Sequence, residues 1–291
     1  DIKTGFLCNN NCLFCVQAHN KLKGNRELDL IKSDLVESRK RCEGVVLTGG
    51  EVTIRPDFLE IVRFAKDLNY KVIQIQTNAR MFSNLDFCKK TILAGATEFS
   101  PALHGYNAKQ HNDLTRAESF NQTLKAIINL KTLGAKVITN TVIVKQNYKD
   151  LPKIAELLVK LKVDQFQLAF IHAIGNAKEN TLDLIPKFTE VIPYVKKALD
   201  IGIQGNLNVM VEAIPLCLMQ EYEDFVSEKY IPDTEIKGLL QQNIGDYKKQ
   251  RIELGKTKFP QCVDCKYDNI CEGPWKEYPQ YYGMEEFKPV K

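Results

Sequence analysis

Apolar and polar residues along this chain follow two periods, and the two take turns. Short stretches rich in β-branched and aromatic residues recur at IKTGF (2–6), GVVLTGG (44–50), KVIQIQT (71–77), EFSPAL (98–103), KVITNTVIV (136–144) and QFQLAF (165–170). Each reads as a strand. Between them lie segments whose apolar residues return every three or four positions. In DFLEIVRFAKDL, for instance, Ile61, Phe64, Ala65 and Leu68 fall on one helical face. SFNQTLKAIINLKTLG and LPKIAELLVKLK repeat the pattern, the first stopped by Gly134. Strands alternating with helices predict an α/β fold, a parallel sheet joined by right-handed crossovers. Six such units are expected. Past about residue 205 the rhythm stops and a mixed, charge-rich region follows, so the chain divides into 1–205 and 206–291.

Composition adds limits. A chain of 291 residues can bury a large core, and 44% hydrophobic with 26% charged residues is ordinary for a globular protein. The net charge of +4 is small beside 40 basic and 36 acidic residues, which gives no case for nucleic-acid binding. No apolar run reaches the eighteen or so residues of a membrane span, so no integral membrane segment is expected. The chain opens at Asp1, almost directly on a strand and without a secretory signal, so more sequence is expected upstream.

The cysteines change the picture most. Nine is an odd number, which argues against a closed disulfide framework, and their placement is uneven. Cys8, Cys12 and Cys15 stand in CNNNCLFC, and Cys262, Cys265 and Cys271 in CVDCKYDNIC. Cys217 lies alone in IPLCLM, while Cys42 ends a helical pattern and Cys88 lies within one. Two ligand groups explain this layout better than disulfides, and they imply a reducing, oxygen-poor compartment, the cytoplasm. Cys42 and Cys88 read as structural thiols.

Soft thiolates hold iron-sulfur clusters, which normally take four cysteines. Three in one short loop leave one iron of a [4Fe-4S] cube without a protein partner. The other reading is zinc, although zinc loops pair cysteines two to four apart and need a fourth ligand. The spacing C-x3-C-x2-C, with Phe14 just before the third cysteine, resembles the radical S-adenosylmethionine (SAM) superfamily. There the open iron chelates the amino and carboxylate groups of SAM. The resemblance implies a partial (β/α)6 TIM-like barrel over 1–205, with the chemistry at the C-terminal ends of the strands. CNNNCLFC follows the first strand and lands at that end.

LTGGE, residues 47–51, carries the resemblance further. Adjacent glycines expose backbone to a close-lying ligand, and Glu51 adds a carboxylate. By resemblance, Gly49, Gly50 and Glu51 contact the SAM amino group. The plain alternative is a tight turn between strand and helix. Thr77 and Asn78 in QTNAR are similar to the TNG element of the family, and Ser100 lies in the fourth strand and Asn140 in the fifth. The resemblance puts these near the SAM carboxylate and ribose, while a barrel interior would also hold Ser100 and Asn140 as satisfied polar groups. Phe170 and Ile171, within Ala169 to His172, would back the adenine. His104 and His172 follow strands on the catalytic side and are candidates for lining the substrate pocket or moving a proton; loop histidines also serve as plain hydrogen-bonding residues. His19 reads as packing over the cluster loop, and His111, in YNAKQHNDLT, as loop.

The C-terminal spacing C-x2-C-x5-C resembles the auxiliary-cluster segment of radical SAM enzymes with a twitch or SPASM extension. By that resemblance 206–291 is a small cysteine-rich domain holding one auxiliary [4Fe-4S] cluster on Cys217, Cys262, Cys265 and Cys271. A structural zinc on the same four residues is the alternative. Trp275, Tyr278, Tyr281 and Tyr282 are expected to pack round this site and close the barrel's open edge.

The family's chemistry, carried over, is reductive cleavage of SAM to methionine and a 5′-deoxyadenosyl radical that abstracts hydrogen from a substrate C–H bond. A one-electron donor such as ferredoxin or flavodoxin is implied. The auxiliary cluster would accept an electron from the substrate. Peptide modification or maturation is the first expectation, and oxidoreduction of a small molecule or lipid the second. A non-catalytic iron-sulfur scaffold or electron carrier is the reading from another class.

Overall fold

The computed structural model describes residues 1–239 and 243–291. One sheet carries seven strands, all parallel and in sequence order. These are β1 (Ile2–Lys3), β2 (Gly44–Thr48), β3 (Val72–Thr77), β4 (Glu98–Pro101), β5 (Lys136–Ile143), β6 (Gln165–Phe170) and β7 (Asn208–Glu212). Helices fill the crossovers: α1 (Leu28–Arg39), α2 (Phe58–Asp67), α3 (Leu85–Ala94), α4 (Ala108–Thr115), α5 (Phe120–Thr132) and α6 (Leu151–Lys160). Between β6 and β7 come the single turns α7 (Asn176–Glu179) and α8 (Thr181–Leu184), then α9 (Phe188–Gln204).

The strand periodicity sorts side chains to two faces. In β5, Val137, Thr139, Thr141 and Ile143 are fully buried toward the helices, while Ile138, Asn140 and Val142 on the other face are only partly covered. The helix side is apolar and dense. Phe58, Phe82, Phe87 and Phe99 meet at ring separations of 5.7, 5.2 and 5.1 Å. Each fully buried phenylalanine contributes about 1.5–3 kcal/mol, so this cluster fixes α2 and α3 on the sheet. The inner face is polar. Gln74 donates to Glu98 at 2.9 Å, Lys136 pairs with Glu98 at 2.6 Å, and Gln167 donates to Glu212 at 2.5 Å.

Among the described residues β1 and β7 share no ladder, so the sheet stays open at its two edge strands. Each edge is met by the C-terminal segment through a single bridge, Ile2 to Lys237 and Val211 to Val226.

Three expectations are corrected. The rhythm read as ending near residue 205 runs one unit further, to β7 beside β6. Only Val209 and Val211 of that strand are buried, too short an alternation to stand out. YNAKQHNDLT is not loop: Asn107 accepts the amide of Gln110 and caps α4, whose polar sequence hides its helical period. His111 is therefore buried inside a helix. The aromatic tail packs on the barrel wall, with Tyr278 against Phe170 and Phe188 at 5.8 and 4.6 Å. No helix among the described residues is long and apolar enough to cross a membrane.

Candidate active site

The loop Cys8–Cys15 leaves β1 at the C-terminal rim of the sheet and is fastened from all sides. Asn11 and Leu13 donate their amides to the carbonyls of Thr115 and Leu114, both at 2.9 Å. Asn176 donates its side-chain amide to the Cys12 carbonyl at 2.9 Å and its backbone amide to the Cys15 carbonyl at 3.1 Å. Lys21 donates to the Asn10 carbonyl at 2.7 Å. Arg80 reaches the Asn9 carbonyl at 2.5 Å while its Nε donates to Gln122 at 2.7 Å. Apart from Arg80, which closes QTNAR, the residues that clamp the loop lie outside the motifs read from the sequence. They come together only through the fold.

Below the loop, Gly49 and Gly50 let β2 pass against it. A Cβ at Gly50 would meet the carbonyl oxygens of Leu7 and Phe6, and one at Gly49 that of Gly5. The backbone uses this closeness: Gly50 donates to Gly5 at 2.8 Å and Glu51 to Leu7 at 2.7 Å.

Glu51 is 2% exposed, and its carboxylate is fully engaged. Oε1 accepts from the Thr53 amide at 3.2 Å and the Thr53 and Thr77 hydroxyls at 2.5 and 2.6 Å; Oε2 accepts the Asn78 amide at 2.6 Å. Burial pushes this carboxyl up, while the four donors pull the other way. The side chain ties the end of β2 to the end of β3. Asn78, so held, extends its own amide to Asn9 at 2.6 Å and toward Cys8 Sγ at 3.9 Å.

The Cys12 thiol is pushed up to about 12, first by burial and then by the neighbouring Cys15 and Cys8. Cys8 Sγ also accepts the Asn10 amide at 3.4 Å. Three soft donors with N–H groups aimed at sulfur fit an iron-sulfur group, whose sulfurs take such hydrogen bonds. The second cysteine set shows the same signature. Cys217, Cys262, Cys265 and Cys271 line one cavity of about 380 Å³, its open mouth included. Phe259 and Val290 donate amides to Cys262 and Cys265 Sγ, each at 3.4 Å. Burial first, then the other three thiols, pushes Cys217 up to about 12. Among the described residues no three His, Cys, Asp or Glu side chains stand close enough to hold a single metal ion.

A larger cavity, about 1330 Å³ with its open mouth, lies over the inner rim of the sheet. Of the sequence candidates it takes in Phe14, Asn140, Phe170, Ile171 and His172. Gly49, Gly50, Glu51, Thr77, Asn78 and His104 cluster at the loop beside it, and Ser100 is buried in β4 outside its lining. Phe14 joins the two groups, since its ring also meets His104 edge-on at 4.7 Å. His104 is 4% exposed, accepts the Val142 amide on Nδ1 at 3.2 Å, and stacks on His111 at 5.9 Å. Burial, then His111, lowers it to about 3, so it is neutral at ordinary pH. His172 is more open. Its ring lies flat on Trp275 at 3.9 Å, and Nε2 meets Glu277 at 3.2 Å.

Glu212, Arg251 and Trp275 also line the cavity, and sequence reasoning missed the first two. Glu212 sits at the end of the unrecognised strand β7, and burial followed by Glu228 raises its carboxyl.

Residues 2–158 match the sequence profile of the family described as Radical SAM superfamily. A protein named probable GTP 3′,8-cyclase from Saccharolobus islandicus is 29% identical over 178 residues, 59% of this chain and 56% of that protein. The Sulfurisphaera tokodaii protein of the same name is 27% identical over 67% of this chain and 62% of its own length. The chain thus spans little more than half of these relatives. Among solved structures, SuiB from Streptococcus suis bound to S-adenosylmethionine has a similar fold, with TM-score 0.69 and 18% identity over 100% of this chain and 75% of SuiB. The structure titled native anSMEcpe with bound AdoMet and Cp18Cys peptide gives TM-score 0.69 and 13% identity, over 99% of this chain and 91% of that one.

Proposed function

Because the chain belongs to the radical SAM superfamily, we propose that it is a radical SAM enzyme that acts on a peptide. The observation that carries the enzyme reading is the clamped loop, which holds three thiols and sulfur-directed N–H groups at the rim of the strands. Cys8, Cys12 and Cys15 would hold the family's [4Fe-4S] cluster beside SAM. Bound together, these supply a 5′-deoxyadenosyl radical for hydrogen abstraction from a substrate C–H bond. The chain's own residues position and enclose. Gly49 and Gly50 keep β2 tight beneath the loop, and Glu51 holds Asn78 and Thr77 in place. Phe14, Ala169, Phe170 and Ile171 give the adenine an apolar wall, with Asn140 as a polar neighbour. His172, oriented by Glu277 and Trp275, faces the substrate side with Nδ1 as the ring nitrogen left for proton transfer. Thr77 and Ser100 belong to the support of the rim, and His104, neutral and enclosed, to its floor.

Cys217, Cys262, Cys265 and Cys271 we read as the ligands of an auxiliary [4Fe-4S] cluster in a twitch-like extension after β7. With four thiolates and no open iron, its part would be electron acceptance. A ferredoxin- or flavodoxin-type donor would reduce the first cluster.

Charge favours a peptide over a nucleotide. A triphosphate needs several free cations, whereas the basic side chains lining the cavity among the described residues are Lys3, Arg251 and His172, of which Arg251 is already bound by Glu272 and His172 meets Glu277. The probable GTP 3′,8-cyclases are matched over 56% and 62% of their own length at under 30% identity, so their substrate is not carried over to this chain. A small-molecule oxidoreductase is the second reading.

The test is anaerobic reconstitution, reduction, addition of SAM and quantification of 5′-deoxyadenosine beside Cys12→Ala. Product from the parent alone upholds the enzyme. An intact cluster that fails to bind SAM would leave an electron carrier.

A further inference from the structure

Five buried side-chain atoms have no hydrogen-bond partner among the described residues: Ser38 Oγ, Thr139 Oγ1, Asn140 Oδ1, Arg251 Nη1 and Trp275 Nε1. Three of the five belong to side chains that line the large cavity. Orphaned polar atoms are rare in folded proteins because each costs about 1–3 kcal/mol, so their gathering at one cavity calls for a ligand. Asn140 comes from the barrel and offers an acceptor. Arg251 and Trp275 come from the C-terminal segment, and both offer donors.

A third donor enters from β1. Lys3 lines the same cavity, and among the described residues no hydrogen bond or ion pair is made by its ammonium, whose charged neighbour is the Asp1 amino group, itself donating to Glu235. The carboxylates nearby are committed elsewhere. Glu272 forks onto Arg251 at 2.6 and 2.8 Å. Glu228 accepts the Ala213 amide at 2.7 Å and faces Lys256 at 3.4 Å. Glu212 accepts from Gln167, and burial favours its neutral form. The cavity therefore presents unpartnered donors from the C-terminal segment together with one free positive charge, Lys3, from β1.

We propose that Lys3, Arg251 and Trp275 form a subsite for a single carboxylate of the substrate, supplied by an acidic side chain or a peptide C-terminus. This rests on the peptide reading above and narrows it. One free charge matches one carboxylate, and the Nη1 of Arg251 left over by Glu272, with the indole N–H of Trp275, supplies donors for its oxygens. Recognition here would set which residue of the peptide reaches the reacting position.

The holoenzyme, reconstituted with SAM under anaerobic conditions, is labelled with trace acetic anhydride at pH 8, and acetylation of Lys3 is followed by peptide mass spectrometry. Exposed Lys89 is the internal reference. The probes are acetyl-Ala-Glu-Ala-amide for a side-chain carboxylate, acetyl-Ala-Ala-Ala for a C-terminus, and acetyl-Ala-Gln-Ala-amide as the neutral control. The expected result is at least threefold slower labelling of Lys3 with one or both acids and no change with the amide. The acid that protects identifies the source of the carboxylate. Trp275→Phe keeps the ring and removes the N–H, and should weaken that protection at least twofold without unfolding the protein. Equal protection by the amide, protection by neither acid, or stronger protection by inorganic triphosphate would overturn the subsite. 5′-Deoxyadenosine is measured in the same preparation. SAM cleavage without Lys3 protection sinks the subsite alone, and protection in a preparation unable to bind SAM upholds it while sinking the enzyme reading.

Discussion

In a Gly50→Ala variant the new Cβ would lie 2.5 Å from the Phe6 carbonyl oxygen and 2.6 Å from the Phe6 carbonyl carbon, with the Leu7 oxygen nearer still. All three are backbone atoms of the segment that enters Cys8. No rotamer change relieves them, so the segment itself must move. Moving it strains the bonds from Gly50 to Gly5 and from Glu51 to Leu7, at 2.8 and 2.7 Å. Two hydrogen bonds at about 1 kcal/mol each and an overpacking cost of about 1–3 kcal/mol give a loss of about 3–5 kcal/mol. That is a large part of the 5–15 kcal/mol typical of a folded domain. Gly50 does not sit at positive φ, so the loss is steric. Two other glycines separate the causes. Gly24 has φ +69 and ψ −156 but nothing within 4 Å of a Cβ, so Gly24→Ala should cost about 1–3 kcal/mol from backbone strain alone. Gly245 has neither constraint, and Gly245→Ala should stay within about 0.5 kcal/mol of the parent. Urea unfolding under anaerobic, reducing conditions gives the three stabilities, and iron per chain after reconstitution reports on the loop. A Gly50→Ala protein that keeps its iron and unfolds within about 0.5 kcal/mol of the parent would refute the reasoning.

Burial lowers the Lys3 ammonium to about 8, below its ordinary value of 10.5, so the unfolded chain holds the proton more tightly between those limits. Stability from this group therefore rises as pH climbs from 8 to 10.5, and Lys3→Met should be the more stable protein at pH 7 by up to about 3 kcal/mol, the gain vanishing near pH 10.5; a gain that does not change with pH would contradict this. Glu51→Gln leaves one N–H facing another whichever way the amide turns, and should cost about 1–3 kcal/mol in thermal unfolding while lowering iron retention. Cys217→Ala should cut bound iron from about eight to about four per chain and leave SAM binding intact; unchanged iron would remove Cys217 from the auxiliary site.

The sequence shows the fold wherever apolar alternation is long enough, as in β5, and hides it where two valines carry a whole strand, as in β7. Cysteine spacing is legible because ligands of one cluster lie close along the chain. Glu51 was legible as a motif but not as a buried hub, since its partners Thr77 and Asn78 lie on the next strand. The grip of Arg80, Lys21 and Asn176 on the cysteine loop depends on distances through space that no local pattern encodes. Arg251 was hidden for the same reason: nothing in its neighbourhood says that Glu272 will hold it beside a cavity lined by β1 and β7.

The two edge strands of the sheet are each joined to the C-terminal segment by one isolated bridge, against six paired positions between β5 and β6. At the first edge Lys3 donates to Lys237, Lys237 to Asp1 and the Asp1 amino group to Glu235, at 3.0, 2.9 and 2.7 Å, and ion pairs Arg41–Glu235 and Lys237–Glu37 stand beside them. With so few ladder bonds at either seam, their amides should exchange before those of the central ladder, which hydrogen–deuterium exchange would check. If the proposed peptide is the substrate, an opening at either seam would admit it from the side, and the reacting residue could then lie within a long chain rather than at its end.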